Sequence, residues 1–165
     1  MVNETIQRAR LFLRLLTFRK LDVFDQLEMD HLRIELLFFR WRWVKDRKRR
    51  HALFTAMNKE LTFHIHLEES LFYPECEKLP DMKVCIDRFH SEHKEIKGLL
   101  REISEHPQKA ASRLPVLIEI FRSHSHEEEN ELFPRMRQLM KKQQVERLSR
   151  DLRFAKEQIE ENLAA

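Results

Sequence analysis

Two stretches of the chain, HIHLEESLFYP at 64–74 and HSHEEENELFP at 124–134, share the skeleton H-x-H-x-E-E-x-x-x-x-P sixty residues apart, each with an aromatic just before the proline. Imidazoles and carboxylates hold protons and ligate metals. On a helix, an i, i+4 spacing places the two groups on one face, about 5–6 Å apart. His64 with Glu68, and His124 with Glu128, can therefore each serve one shared centre. Two copies in register suggest two halves of a single site.

The elements that must position these residues are helices. The chain has 165 residues, one glycine (Gly98) and five prolines. Leu, Glu, Arg, Lys and Phe dominate, a balance that favours helix nearly everywhere. Breakers predict an amphipathic N-terminal helix over 4–17, then long helices over 21–45, 48–77, 82–105 and 110–139, and a charged helix over 142–163. Pro115 is placed near the first turn of the fourth long helix and Pro134 near its end. Short connections make neighbours antiparallel. The expected fold is all-α: an N-terminal helix in residues 1–18, then one up-down four-helix bundle domain over 19–165 that includes a C-terminal helix. Gly98 is expected to permit a close helix contact.

Buried stripes recur at alternating steps of three and four. They read Phe24, Leu27, His31, Ile34, Phe38, Trp41; Met57, Leu61, His64, Glu68, Leu71; Ile86, Phe89, His93, Ile96, Leu100, Ile103; and Leu114, Leu117, Phe121, His124, Glu128. Each is apolar except near its middle, where each helix places one histidine and two add a glutamate one turn later. The other histidines fail this test. His90 lies with Lys83, Asp87, Lys94 and Lys97, His66 with Glu69, and His126 with Glu129. His51 and His106 sit near helix ends.

Four imidazoles and two carboxylates in a core need partners, because a buried unpaired carboxylate is costly. A lone core histidine is usually satisfied by a hydrogen bond; four at one depth, with two H-x-x-x-E pairs, argue for metal. If both carboxylates bridge, the set supplies eight donor atoms, four for each of two ions. Spare positions on a six-coordinate ion suit an oxo or hydroxo bridge and an exogenous ligand. Imidazole mixed with carboxylate suits Fe, Mn or Zn, without thiolate softness to favour Zn or Cu. Two ions with open positions point to iron ahead of Mn or Zn, since structural zinc is normally closed. A ferritin-type bundle would need Glu-x-x-His pairs plus lone glutamates, and the order here is the reverse.

These residues resemble the hemerythrin-like HHE cation-binding family over about residues 20–160. The marks are Asp30-His31 in LEMDHLRIELL, H-x-x-x-E-E…LFYP at 64–74, Glu92-His93 in HSEHKEIKGLL, and H-x-x-x-E-E…LFP at 124–134. The resemblance implies a four-helix bundle with a non-haem di-iron centre, two iron ions held by His31, His64, His93 and His124, with Glu68 and Glu128 bridging. Oxygen-carrying hemerythrins place H-x-x-x-H on the third helix and H-x-x-x-x-D on the fourth. Here His90 and His93 are three apart and Glu128 stands at i+4 from His124. The pattern is similar to the four-His, two-Glu branch, which includes iron–sulfur repair proteins and iron or oxygen sensors. His66, Glu69, His126 and Glu129 are candidate supporting groups around the ligands.

Function follows in three readings. The leading one is a di-iron protein that binds or reduces a small oxidant: O₂, peroxide or NO. The second is a sensor or binding module whose fold depends on metal. The third is iron delivery for iron–sulfur repair, disfavoured because repair proteins of this type tend to carry a further N-terminal cysteine-bearing domain. Charged residues make up 36% of the chain but the net charge is only +3, so no polyanion partner follows from the total. Locally, RWRWVKDRKRR packs seven cations and two tryptophans into residues 40–50. A helix end explains it, since cations suit a C-terminus, and nucleic acid is not the expected partner. Arginines interrupt the N-terminal apolar pieces, so neither a signal peptide nor a span of about 20 apolar residues is expected, and membrane binding is disfavoured. Cys76 and Cys85 make no disulfide framework, which fits the cytoplasm.

Overall fold

The computed structural model describes residues 21–164, and they are helical almost throughout. The expected helix over 4–17 lies outside the described residues. Helix α1 spans Val23–Trp43 and α2 Arg47–Leu67. A π-helical turn, Glu68–Phe72, carries α2 into α3, Tyr73–Cys76. Helix α4 spans Lys83–Glu105 and α5 Ala110–Glu127. A second π turn, Glu128–Leu132, joins α5 to α6, Phe133–Leu139, and α7 spans Lys142–Ala164. The four rods α1, α2–α3, α4 and α5–α6 form the up-down bundle, and α7 packs on α1. No helix among the described residues is long and apolar enough to cross a membrane.

Local chemistry sets the helix ends. Asp22 caps α1: its Oδ1 accepts from the Asp25 N–H at 2.9 Å, while Asp25 returns Oδ2 to the Asp22 N–H at 3.3 Å. Arg137 of α6 donates to both carboxylates, at 2.5 and 3.0 Å, and ties the last rod to the start of the first. Asp46 caps α2 by accepting from Arg49 N–H at 2.9 Å. Asp81 takes a left-handed backbone, φ 60°, in the turn before α4. Pro107 stops α4 and opens a 3₁₀ turn, Pro107–Lys109. Pro115 stands inside α5, deeper than the first turn. It is exposed, so water can reach the Ala111 carbonyl it leaves without a donor.

The two π turns are the main departure from the expected regular rods. Tyr73 N–H bonds to the Glu68 carbonyl, and Phe133 N–H to the Glu128 carbonyl, both five residues back. Each turn begins at the glutamate of the repeated motif and ends two residues before its proline. In an α register, Pro74 and Pro134 would give no N–H to the carbonyl four residues back, and their rings would press on it. The wider turn relieves that clash. It also shifts the face of everything after it: Phe72 and Tyr73 are buried, whereas Leu71, expected on the seam, is half-buried. Phe72→Ala is therefore expected to destabilise by about 3–5 kcal/mol, and Leu71→Ala by no more than about half of that, read from denaturant unfolding.

Two apolar clusters sandwich the polar middle of the bundle. One contains Phe24, Phe72 and Phe133, whose rings pack at centroid distances of 5.5–5.8 Å, with Leu148 and Leu152 of α7 behind them. The other contains Ile34, Phe38, Leu61, Ile96, Leu117 and Phe121. Every residue of the expected stripes on α1, α4 and α5 is buried except Trp41, which is half-buried. Gly98 is not a close-contact glycine, because a Cβ built there meets nothing within 4 Å. Gly98→Ala is accordingly expected to stabilise by about 0.5–1 kcal/mol, through helix propensity and a less flexible unfolded chain.

Candidate metal centre

The six seam residues converge between the two apolar clusters. His31 (α1), His64 (α2), Glu68 (first π turn), His93 (α4), His124 (α5) and Glu128 (second π turn) are between 0% and 3% exposed. The imidazoles form two pairs. His31 and His64 bring their Nε2 atoms to 3.1 Å, and His93 and His124 bring theirs to 3.0 Å. Glu68 lies between the pairs. Its Oε1 stands 3.2 Å from His64 Nε2 and 3.9 Å from His31 Nε2, and its Oε2 stands 3.3 Å from His93 Nε2 and 3.9 Å from His124 Nε2. Glu128 turns one oxygen, Oε2, towards both pairs, 3.2 Å from His31 Nε2 and 3.4 Å from His124 Nε2.

Two observations show that this donor set fits a pair of cations. Both Glu68 oxygens and Glu128 Oε2 are buried without an aligned hydrogen bond, although imidazole nitrogens crowd them. Two nitrogens facing each other near 3 Å satisfy neither when both are donors or both are acceptors. Two nitrogens bound to one cation at about 2.1 Å and at right angles stand about 3 Å apart. His31, His64, Glu68 and Glu128 would hold one ion. Glu68, His93 and His124, with Glu128 Oε2 adjacent, would hold the other.

Without an ion, protons must balance the charge. Burial opposes protonation of His124, but Glu128, Glu68 and Glu92 outweigh it and push its pKa up to about 10. His31 is raised well above the usual histidine range, against burial, by Glu128, Glu129 and Glu68. Burial would raise the Glu68 pKa; the histidines around it, led by the charge of His64, hold it well below the usual carboxylate range.

Three of the four outer imidazole nitrogens hydrogen-bond a carboxylate; the fourth, His64 Nδ1, has a carboxylate nearby but no hydrogen-bond partner. The placement of these carboxylates repeats between the halves. Asp30 and Glu92 each precede one ligand histidine and face the histidine of the next rod. Asp30 stands 3.9 Å from His64 Nδ1, and Glu92 2.8 Å from His124 Nδ1. Glu69 and Glu129 each follow a seam glutamate and reach back to a histidine: Glu69 to His93 Nδ1 at 3.2 Å, Glu129 to His31 Nδ1 at 2.8 Å. Carboxylates there hold Nδ1–H and aim the Nε2 lone pair at the centre. Cations hold three of them in turn: Lys156 on Asp30 at 2.5 Å, Lys97 on Glu69 at 2.7 Å, and Arg88 on Glu92 at 3.1 Å.

Of the candidate supporting groups, Glu69 and Glu129 take that position, while His66 and His126 are exposed. His90 is half-buried with Nδ1 3.8 Å from Glu69, outside the donor cluster. Glu129→Gln is expected to weaken metal binding by about 10–100-fold. His66→Ala should leave it unchanged, both read by competition with a chromogenic chelator.

Sequence reasoning missed three residues here. Asp30 and Glu92 were visible only as neighbours of histidines, and their targets lie on other rods. Tyr73 came to the centre through the π turn. Its Oη donates to Glu128 Oε1 at 2.8 Å and lies 3.4 Å from His93 Nε2, and its ring stacks on His93 at 5.4 Å. Burial, then the charges of Glu128 and Glu68, raise the phenol well above its ordinary pKa, so it stays a donor. Cys76 is buried near the centre, but burial and the same two charges push its thiol up and keep it out of the donor set.

Comparison with known proteins agrees with this geometry. The family described as Hemerythrin HHE cation binding domain matches residues 22–136. A DNA nickase of Nostoc sp. (strain PCC 7120 / SAG 25.82 / UTEX 2576) is 26% identical over 146 residues, covering 87% of this chain and 41% of that protein. The chain thus spans about two-fifths of the length of that curated relative. No solved structure matches it. With its fold, its buried His/Glu cluster and the match over most of its length, the chain belongs to the hemerythrin HHE cation-binding family, and it is a metal-binding helical bundle.

Proposed function

We propose that the chain holds two iron ions on His31, His64, Glu68, His93, His124 and Glu128, and that it binds or reduces a small oxidant: O₂, peroxide or NO. One observation carries this reading: Glu68 offers one oxygen to each of two buried histidine pairs. Bound iron would supply electrons and Lewis acidity for a diatomic or peroxide. The chain's own residues do the rest. Phe89 and Phe121 stand edge-on to the ligand imidazoles and His31 stacks on Phe133, which excludes water. Tyr73 Oη holds a proton at the centre, donating to Glu128 Oε1 at 2.8 Å. Iron is favoured over structural zinc because two adjacent ions on this set would keep open positions, whereas structural zinc is closed and tetrahedral. Two free cysteines are compatible with a reducing compartment, which supports the cytoplasm.

A sensor reading has one specific observation behind it. Lys156 of α7 donates to Asp30 at 2.5 Å, and Asp30 faces His64. A change at the centre can thus reach the docking of α7. The name of the cyanobacterial relative raises strand cleavage as a further reading. The burial of all six donors speaks against it, since a phosphodiester backbone cannot approach them.

The test is elemental analysis followed by spectroscopy. About two irons per chain are expected, together with an absorption change when the anaerobically reduced protein meets O₂, peroxide or NO. Zinc alone at the site, or iron with a spectrum unmoved by all three, would overturn the oxidant reading. Loss of α7 docking upon iron removal, without turnover of any oxidant, would favour the sensor.

A further inference from the structure

The end of the bundle remote from α7's start is open and lined by cations and aromatic rings. A cleft of about 800 Å³ opens between the α1–α2 turn and the turn from α4 to α5. Trp41, Phe54 and Ile103 line its apolar side; Lys45, Arg47 and His51 line its basic side; no carboxylate lines it. Trp41 and Ile103 stand ten residues beyond His31 and His93, and Phe54 stands ten before His64. That is about 15 Å along the axis from the metal centre, with the cluster of Ile34, Phe38, Leu61 and Phe121 in between.

The expectation that a helix C-terminus explains RWRWVKDRKRR holds for Arg40 and Arg42 but not for the cations of 47–50. Arg40 and Arg42 close α1, but Arg47, Lys48, Arg49 and Arg50 form the first turn of α2, which holds no acidic residue. Cations are disfavoured there by the helix dipole. Arg88, Arg137, Arg147 and Lys156 pair with carboxylates elsewhere in the bundle. Among the described residues, none of the seven cations at 40–50 has a carboxylate partner. Arg50 instead lies over the Trp41 ring, 5.2 Å from its centroid, and donates to the Val44 carbonyl at 2.7 Å. Beside them the rings of Phe39 and Trp43 lie 6.2 Å apart, tilted at 59° to each other, and they are 56% and 71% exposed.

We propose that this end of the bundle binds single-stranded nucleic acid, with one base entering the cleft against Trp41 and Phe54, a neighbouring base on the exposed Trp43 ring, and the cations of residues 40–50 holding the phosphates. The site combines a cationic track with flat apolar groups, which is the chemistry a flexible strand of unpaired bases offers in reverse. An acidic peptide offers a ring only where it carries an aromatic residue, whereas every nucleotide pairs a ring with a phosphate. The cations extend past the cleft, beyond what a single phosphate needs. This site is separate from the metal centre, and either can fail without the other.

Fluorescence anisotropy of a labelled oligothymidylate with the full chain tests it. Binding should weaken about 100-fold between about 50 mM and 200 mM salt, as neutralising about five phosphates of a single strand requires. Trp43→Ala should weaken it by about 5–100-fold at fixed salt. Arg47→Glu with Lys48→Glu should abolish binding at the higher salt. All three residues are exposed, so helicity and metal content should stay unchanged. Binding of AMP as tight as that of the oligonucleotide would overturn the proposal in favour of a free nucleotide site. Duplex bound as well as single strand, with no effect of Trp43→Ala, would reduce the end to charge attraction and also overturn it. Binding to phosphatidylglycerol vesicles but not to the oligonucleotide would make this a membrane face.

Discussion

Glu68→Gln is expected to empty the centre, lowering metal content from about two ions per chain to essentially none after gel filtration. The reason is position. Glu68 is the one side chain with a separate oxygen facing each histidine pair. Glutamine keeps the shape but presents one amide nitrogen, which donates hydrogen bonds and carries no charge. Whichever way the amide turns, one histidine pair faces a donor where it had an acceptor. The metal-free protein should suffer as well. Its imidazolium groups at His31 and His124 depend on the two buried carboxylates, and removing one partner of a buried charge set costs about 3–5 kcal/mol. A helical circular dichroism spectrum at low temperature separates loss of metal from loss of fold. His66→Ala provides the matched control, because it alters a histidine of the same motif that is exposed. If Glu68→Gln retains two ions while folded, the convergence on Glu68 is not what binds them.

The sequence made the rods and the donors legible for one physical reason: both depend on period 3.6, which a local pattern carries. His31, His64, His93 and His124 interrupt apolar stripes at one depth, and a bundle brings equal depths together. What escaped depends on contacts between rods or on breaks in the period. Leu71 was placed on the seam by continuing the α period through Glu68, but the π turn before Pro74 rotates the next residues and puts Phe72 and Tyr73 inside. The repeat itself held the clue, since a proline follows each glutamate at the same offset. Asp30 and Glu92 serve histidines on neighbouring rods, so no spacing along one helix reveals them. Gly98 was read as a close-contact residue from its type alone, and the space around it is open. The cations of 40–50 were assigned to one helix end, although the chain turns between Trp43 and Arg47 and gives four of them to the start of another helix.

The second large effect is a reversal of pH dependence on metal removal. In the metal-free protein His124 titrates near 10, and His31 is also raised, because Glu128, Glu68 and the outer carboxylates overcome burial. Above the unfolded histidine value of about 6.5 the native state therefore binds more protons than the unfolded chain. Stability is fully present below that value and falls as pH rises, on the order of 1 kcal/mol per pH unit for each such group, until the folded value of each is passed, about 10 for His124. Glu68, depressed, sets the opposite edge: its contribution is present above about 4.5 and is lost as pH falls below that through its folded value. Metal reverses the alkaline limb. Ligand imidazoles must be deprotonated to bind, so rising pH removes the competitor for the site. At a metal concentration about 1,000 times its dissociation constant the loaded protein gains about 4 kcal/mol, or roughly 8–16 °C in Tm for a chain of this size. The Tm difference between loaded and chelator-treated protein should accordingly widen from pH 6.5 to pH 9, with the metal-free Tm falling. A metal-free Tm that rises across that interval would mean that protons do not replace cations in the core. The two glutamates would then have to be balanced by something other than the histidines that surround them.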